Sequence, residues 1–477
     1  SSAGSTNNTA VGAWTGYRVT TGVSNTLLGQ YAGQALTTGN YNNFLGVQAG
    51  HKTTTGGYNI SIGMESSYHN TVGSFNTVMG HKAGQYMTGS FNTYLGFEAG
   101  KGGQSSAPYS SAGSNTAVGT YALQEVISGG GNVAIGERAL LKNHVGSNIV
   151  AVGYGAGYYT TGSYNTFVGK DAGRGGTTSA PYSSGTSNTA VGYQALTAFT
   201  TGGTNTAVGA YSLDSVTTGT ANVGIGYYAG SSITDGFQNI VIGENAGDTM
   251  TSTRYTVLIG HTAGTAINST GANGTVAIGH GALTAITSPA GNTAIGYQAG
   301  YSLTTGHSNT FIGYEAADAF NSGESNMTAI GRNAMGSADN DSSSNCVAIG
   351  VDALEGGTGA LFYSIAIGNH ALSSTGNRQS YSNIAIGHSA MDSTFGGTIT
   401  DVIAIGRDSM HHASNQLNGV TGAIGIGFES LKSLTTGDYN IAIGYQAGDA
   451  ITTKTGIIAI GLGAAGGIST TGDYSIA

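Results

Sequence analysis

Gly291-Asn292-Thr293-Ala294-Ile295-Gly296-Tyr297-Gln298-Ala299-Gly300 is a unit that the chain repeats from end to end. Close copies occupy Asn8 to Gly12, Asn25 to Gly29, Asn115 to Gly119, Asn188 to Gly192, Asn205 to Gly209 and Asn440 to Gly444. Aligned on the glycine equivalent to Gly296, the copies run from Gly12 through Gly29, Gly46 and Gly63 to Gly444 and Gly461, most of them 17 residues apart. A fixed period in this range is the signature of a solenoid or array.

The positions around the glycine follow rules. The residue before it is a large aliphatic, from Val11 to Ile460. The residue three before it is β-branched (Thr9, Ile60, Val133, Ile365), with Asn43 as an exception. Between these two sits Ala in most copies, and Phe44, Tyr94, Phe167 or Phe311 in others. Apolar positions two apart specify a strand, whose alternate side chains point to opposite faces. The β-branched and aliphatic residues then share one face and the alanine takes the other. From about Val347 the β-branched position turns from Thr to Val and Ile, which reads as a buried position.

Seventeen residues suffice for two short strands and two turns. The predicted fold is all-β: a parallel β-solenoid of about 26 coils, in which each coil pairs with its equivalents above and below. One coil cannot bury its own apolar face, but stacked coils share a core. The recurring Thr-Thr-Gly (Gly39, Gly162, Gly202, Gly219, Gly306, Gly437) fits a second corner with left-handed dihedrals. Asn four before the shared glycine (Asn8, Asn25, Asn42, Asn59, Asn76) fits a turn in which identical carboxamides form a ladder.

Composition agrees with such a repeat. The 477 residues include 84 Gly and 3 Pro, and 8% are charged, against roughly 25% in an ordinary domain. A net charge of −9 argues against nucleic-acid binding, which needs a basic stripe. No stretch is long and apolar enough for a membrane span. Both ends lie within a repeat, which reads as a piece of a longer fibre. The organisation expected is one solenoid domain over 1–477. Regular coils fill 1–260, with inserts near 101–114 and 174–187. Longer coils follow over 261–427, and regular ones resume over 428–477. The inserts, Ser106-Ala107-Pro108-Tyr109 and Ser179-Ala180-Pro181-Tyr182, belong to a duplicated block. Inserted loops on a solenoid project sideways and often carry binding.

Several stretches imitate chemical sites. Gly461-Leu462-Gly463-Ala464-Ala465-Gly466 matches a dinucleotide fingerprint, but no helix pattern follows it, so no cofactor is expected. Asp408 and Glu429 occupy the same place in consecutive copies. Stacked strands about 4.8 Å apart would bring them near the separation of about 5 Å used by retaining glycosidases. The plainer reading is two solvated corner residues. His411-His412 would point apart on a strand, and Asp339-Asn340-Asp341 lacks the rest of a calcium loop, so no metal is expected. Cys346 replaces Asn in its copy and reads as a turn substitution.

The motif Ser364-Ile365-Ala366-Ile367-Gly368 with Ala371 resembles the head repeats of YadA-like trimeric autotransporter adhesins, and copies such as Asn292 to Gly300 are similar to repeats of phage tail fibres. The resemblance spans nearly the whole chain. It implies a left-handed parallel β-roll, three chains about an axis, and a surface that binds host molecules. Carried over, Ile365 and Ile367 would fill each roll, while Ala294, Ala366 and Ala442 would face the trimer axis. The coils are longer than the adhesin repeat, which favours the tail fibre.

The function expected is therefore a non-enzymatic fibre, on a virion tail or a cell surface, that extends or forms a host-binding appendage. Its partners would be two further copies and a host glycan or protein receptor. Tyr109, Tyr182, Tyr193, Tyr227, Tyr228, Tyr297, Tyr314 and Tyr445 are the candidate glycan-stacking residues. Alternatives are a bacterial adhesin head and a polysaccharide-degrading tailspike using Asp408 and Glu429. A third is ice binding through outward threonines Thr9, Thr26, Thr77, Thr93 and Thr116.

Overall fold

A computed structural model describes the chain except residues 1–5, 104–108, 177–178, 180, 269–272, 289, 338–342, 358, 377, 394, 413–415 and 467–472. The putting-together of the repeat is simple. Each coil contributes one three-residue strand ending at the residue before the shared glycine, from Thr9–Val11 to Ile458–Ile460. Two compact units result, Ser1–Gln238 and Asn239–Ala477. Within each, thirteen such strands stack in parallel among the described residues, each beside the strand of the next coil. Both units are parallel β-solenoids.

Register never slips within a unit. Thr9, Ala10 and Val11 pair with Thr26, Leu27 and Leu28. Equivalent residues also pair across the first insert, Leu95 with Val118, and across a lengthened coil, Ile405 with Ile426. The ladder therefore stays intact across both lengthened coils.

The rest of the coil departs from expectation. Two strands per coil were expected, yet among the described residues the segment after the glycine forms a second strand only at Leu361–Phe362, Ser380–Tyr381 and Ile399–Thr400, with isolated bridges such as Met87 to Ser110 and Thr160 to Ser183. Elsewhere it is a run of tight turns. Tyr31 and Gly33 have φ of 60° and 57°, and Ala32, Gln34 and Leu36 each donate to a carbonyl three residues back. A left-handed residue at every second place prevents an extended strand. The turns still stack, since Gly33 N donates to Ala49 O at 3.0 Å and Ala35 N to His51 O at 3.0 Å. Backbone groups are thus satisfied around the coil.

The shared glycine is required twice over. Gly296 has φ 141°, and a Cβ there would lie 2.1 Å from the carbonyl oxygen of Gly313. The Thr-Thr-Gly glycines differ from expectation, because Gly39 is not left-handed. A Cβ on it would lie 2.3 Å from Gly56 O, so close stacking of backbones is what excludes a side chain.

The strand's facing is the main correction. Ala294, Ala366 and Ala442 are fully buried inside the coil, so they cannot face an axis between chains. Ile365 and Ile367 point outward and are half-buried, and Ile295 is 37% exposed. The interior is narrow, because the turn segment brings Ala32 and Leu36 close behind the strand. A small residue on the strand's inner side leaves room for them. Asn shares that inner side. Asn42 Nδ2 donates to Gly56 O at 3.0 Å and to Asn25 Oδ1 at 3.1 Å, and Asn42 Oδ1 accepts from Asn59 N at 3.0 Å. The expected amide ladder exists, but in the core.

Core volume is shared between two positions. Where the inner strand residue is aromatic (Phe44, Tyr94, Phe167), the residue six later is Gly50, Gly100 or Gly173. Where it is Ala117, Ala134 or Ala190, the residue six later is Leu123, Leu140 or Leu196, all buried.

Candidate binding surfaces

Since Asn and Ala turn inward, the residues on either side of the alanine turn outward on every coil. They form two columns. In the first unit the outer pair begins Thr9 and Val11 and ends Val223 and Ile225. In the second unit the residue before each shared glycine is Ile, from Ile242 to Ile460. None of the described strands places a charged side chain in either column. At ~4.8 Å per strand, thirteen strands make a strip ~60 Å long in each unit. Thr9, Thr26 and Thr93 are exposed, and Thr77 and Thr116 half-buried, so all five threonines face outward.

The second surface is the flank that carries the inserts in the first unit. Tyr109 of the first insert folds back on the preceding coils. Its ring centroid lies 4.2 Å from that of His69 and 6.2 Å from that of Tyr86. His69 also meets Tyr68 at 4.7 Å. Burial, with Lys52 and His51 nearby, lowers the His69 pKa to about 4. The imidazole is therefore neutral at pH 7. Beside this cluster opens a cavity of about 330 Å³ lined by Tyr86, Lys101, Gly102, Gly103, Gln124 and Glu125. These come from three successive coils, each five to seven residues after the shared glycine. Lys101 Nζ sits 3.1 Å from Glu98, to which Gln124 Nε2 also donates at 2.5 Å. Glu125 pairs with Lys142 and lies 3.1 Å from His144 Nε2. The cavity rim is thus polar, with its charges matched.

Tyr182 of the second insert repeats the fold-back, meeting Tyr159 at 5.9 Å and His144 at 5.3 Å. The other candidate tyrosines stand in columns just after the glycine. Tyr193 is approached by Lys170 at 5.6 Å and by the edge of Tyr211 at 5.2 Å. Tyr228 stacks on Tyr211 at 4.8 Å and meets the edge of Tyr227. Tyr297 is sandwiched between His280 and Tyr314, at 5.2 and 5.0 Å. Tyr445 stacks on Phe428 at 5.0 Å. A ring covered on both faces, as Tyr297 is, presents its edge and hydroxyl to solvent. Sequence reasoning missed a longer column, Tyr41, Tyr58, Phe75 and Phe91, stacked at 4.8 to 5.2 Å and about half exposed. The signal was an aromatic five before the glycine in four consecutive copies.

The imitators of chemical sites find ordinary roles. Asp408 pairs with Arg407 at 3.6 Å. Glu429 accepts from Gln446 at 2.7 Å and pairs with Lys432, which together hold its carboxyl below the ordinary range. That is the wrong direction for a general acid. Gly461 ends the strand Ile458–Ile460 as a shared glycine, with φ 128°. No group of His, Cys, Asp and Glu suited to a metal occurs among the described residues; Asp339, Asn340 and Asp341 lie outside them. Cys346 is buried, with its thiol pushed up to about 11 by desolvation.

Fold and surface together define a repeat protein of the parallel β-solenoid class. No known family's sequence profile matches the chain, and no curated protein sequence matches it.

Proposed function

We propose that the chain is part of a non-enzymatic attachment fibre, of the phage tail-fibre kind, in which three copies associate through their outward strand columns. One observation carries this: in each unit two columns, of Thr, Val, Leu and Ile but for Asn43 and Met79, run along one face of the described strands without a charge. Monomeric proteins rarely expose apolar patches beyond a few hundred Å², and larger ones mark association surfaces. A bacterial adhesin head would use the same assembly. The inserts and aromatic columns, which lie off this face in sequence register, are left to meet the host surface. Many weak contacts multiplied by three copies give avidity without a deep pocket.

Sedimentation equilibrium of the full chain tests the assembly. The expected mass is three times the 47.5 kDa chain. Replacing Ile295, Ile312 and Ile330 together by Lys should yield a folded monomer, because these side chains fill no part of the coil interior. A wild-type monomer at tens of micromolar overturns the proposal. The outward threonines meet the one geometric demand of ice binding, and a thermal-hysteresis measurement separates that reading.

A further inference from the structure

We infer that the cavity beside the first insert is a saccharide-binding site that takes one neutral pyranose unit of a longer glycan, with the Tyr86 ring as its platform and Gln124, Glu125 and Lys101 as its hydrogen-bonding groups. This rests on the attachment reading above. The volume of about 330 Å³ lies at the low end of small-molecule sites, roughly 300–1,000 Å³. The lining combines what a sugar ring needs. Tyr86 offers an aromatic face to C–H groups, and tyrosine gives rigid amphipathic contact at low entropic cost. Gln124 supplies both a donor and an acceptor, Glu125 an acceptor and Lys101 a donor. The carboxylates Glu98 and Glu125 are matched by Lys101 and Lys142, so the site favours a neutral ligand. Gly102 keeps the floor open, since a Cβ there would lie 3.1 Å from the Cβ of Tyr86 and 3.2 Å from that of Ser110. The Ser110 hydroxyl is buried and has no partner among the described residues, which leaves a polar atom beside that floor for a ligand or water.

The duplicated block supplies an internal comparison. It keeps the aromatic as Tyr159, the cation as Arg174 and the glycines as Gly175 and Gly176, but has Thr197 and Ala198 in place of Gln124 and Glu125. Arg174 there stands over the rings of Tyr158 and Tyr159, at 5.8 and 5.7 Å. Arg174 also pairs with Asp171 at 3.9 Å, as Lys101 does with Glu98 at 3.1 Å, but Tyr86 lines the open cavity. One scaffold thus exists in an open polar form and in a form whose aromatic wall is covered by its own cation.

The test uses the full chain and a panel of neutral oligosaccharides of glucose, galactose, mannose and N-acetylglucosamine, with binding read by saturation-transfer NMR and calorimetry. At least one should bind. The double change Gln124→Thr and Glu125→Ala, which copies the second block, should weaken that binding at least about tenfold. Tyr86→Ala should do the same, and Tyr159→Ala should leave it unchanged. No binding by any member, or equal binding by the double variant, overturns the inference. Oligomeric mass and adhesion to whole cells, measured on the same variants, report separately on the fibre: a trimer that adheres to cells regardless of these changes keeps the fibre and removes the site.

Discussion

Phe167 and Gly173 face each other across the narrow core, and exchanging their volumes tests how the coil is packed. A Cβ on Gly173 would lie 2.1 Å from two ring carbons of Phe167, so Gly173→Leu alone has no room. Overpacking of this kind costs about 1–3 kcal/mol or more, and the left-handed φ of 53° adds about 1–2 kcal/mol for a residue with a Cβ. Phe167→Ala alone empties a fully buried ring position and should cost about 3–5 kcal/mol. The double variant recreates the next coil, where Ala190 faces Leu196 and the leucine already holds φ 52°. It should fall within about 1–2 kcal/mol of the wild type, which makes the coupling several kcal/mol and favourable. Urea unfolding of the full chain measures the cycle. Hydrogen exchange locates the loss, because stability in a stacked array is a sum of neighbouring coils. If the double variant is as unstable as the two single changes added together, the volume-sharing account is wrong.

Two further outcomes follow from the core and the insert cluster. Asn42→Ala strands the amide of Asn59 and the carbonyl of Gly56, at about 1–3 kcal/mol for each buried group left unpaired. Asn42→Thr should cost less, since Thr256 stands in the same column and its hydroxyl donates to Asn239 at 2.7 Å; thermal unfolding ranks the two. Acid should loosen the Tyr109 fold-back. His69 takes up its proton near 6.5 when unfolded and only at about 4 when folded, so the unfolded state binds more protons between those values. Stability is then full above 6.5 and declines as pH falls towards 4. The facing groups are Lys52, His51, Tyr68, Tyr86 and Tyr109, and His51 is shifted in the same direction by burial and then by Lys52. An NMR titration of His69 gives its midpoint, and melting curves at pH 7 and 5 should differ less in His69→Phe than in the wild type.

Much of this architecture could be read from the chain. Period, strand, shared glycine and carboxamide column all follow from residues that recur at fixed offsets. What could not be read from hydrophobicity was which face of the strand turns in. Val and Ile outrank Ala on any such scale, so Ile365 and Ile367 read as core. The decisive quantity was the width of the coil, which depends on turns whose left-handed residues include Tyr31, Gln48 and Glu65, types that carry no strong turn signal. A signal for the correct facing was present in Phe44 with Gly50, Tyr94 with Gly100 and Phe167 with Gly173, because only neighbours inside a core trade volume. The cavity was harder to foresee. Tyr86, Lys101 and Gln124 come together only when coils stack in register across an insert, and no linear motif contains them.

The inward placement of Asn and Ala has a consequence for function. Backbone ladders, carboxamide stacking and the Ala–Leu interior hold each coil without help from the outward columns. Those columns are therefore free to vary without loss of the fold, and they do vary, from mostly Thr with Leu or Val in the first unit to Ile with Ile late in the second. A position under no folding constraint would accumulate charged and polar residues at random, as exposed positions elsewhere on this chain do. Thirteen isoleucines in succession in the second unit fit the constraint from outside the coil that the proposed association would impose. A partner surface that is itself repetitive and apolar imposes that constraint at every coil. A further copy of the same chain, laid alongside in parallel, would be a surface of that kind, and on this ground the proposed association of copies is preferred for this face over attachment to a receptor of irregular shape.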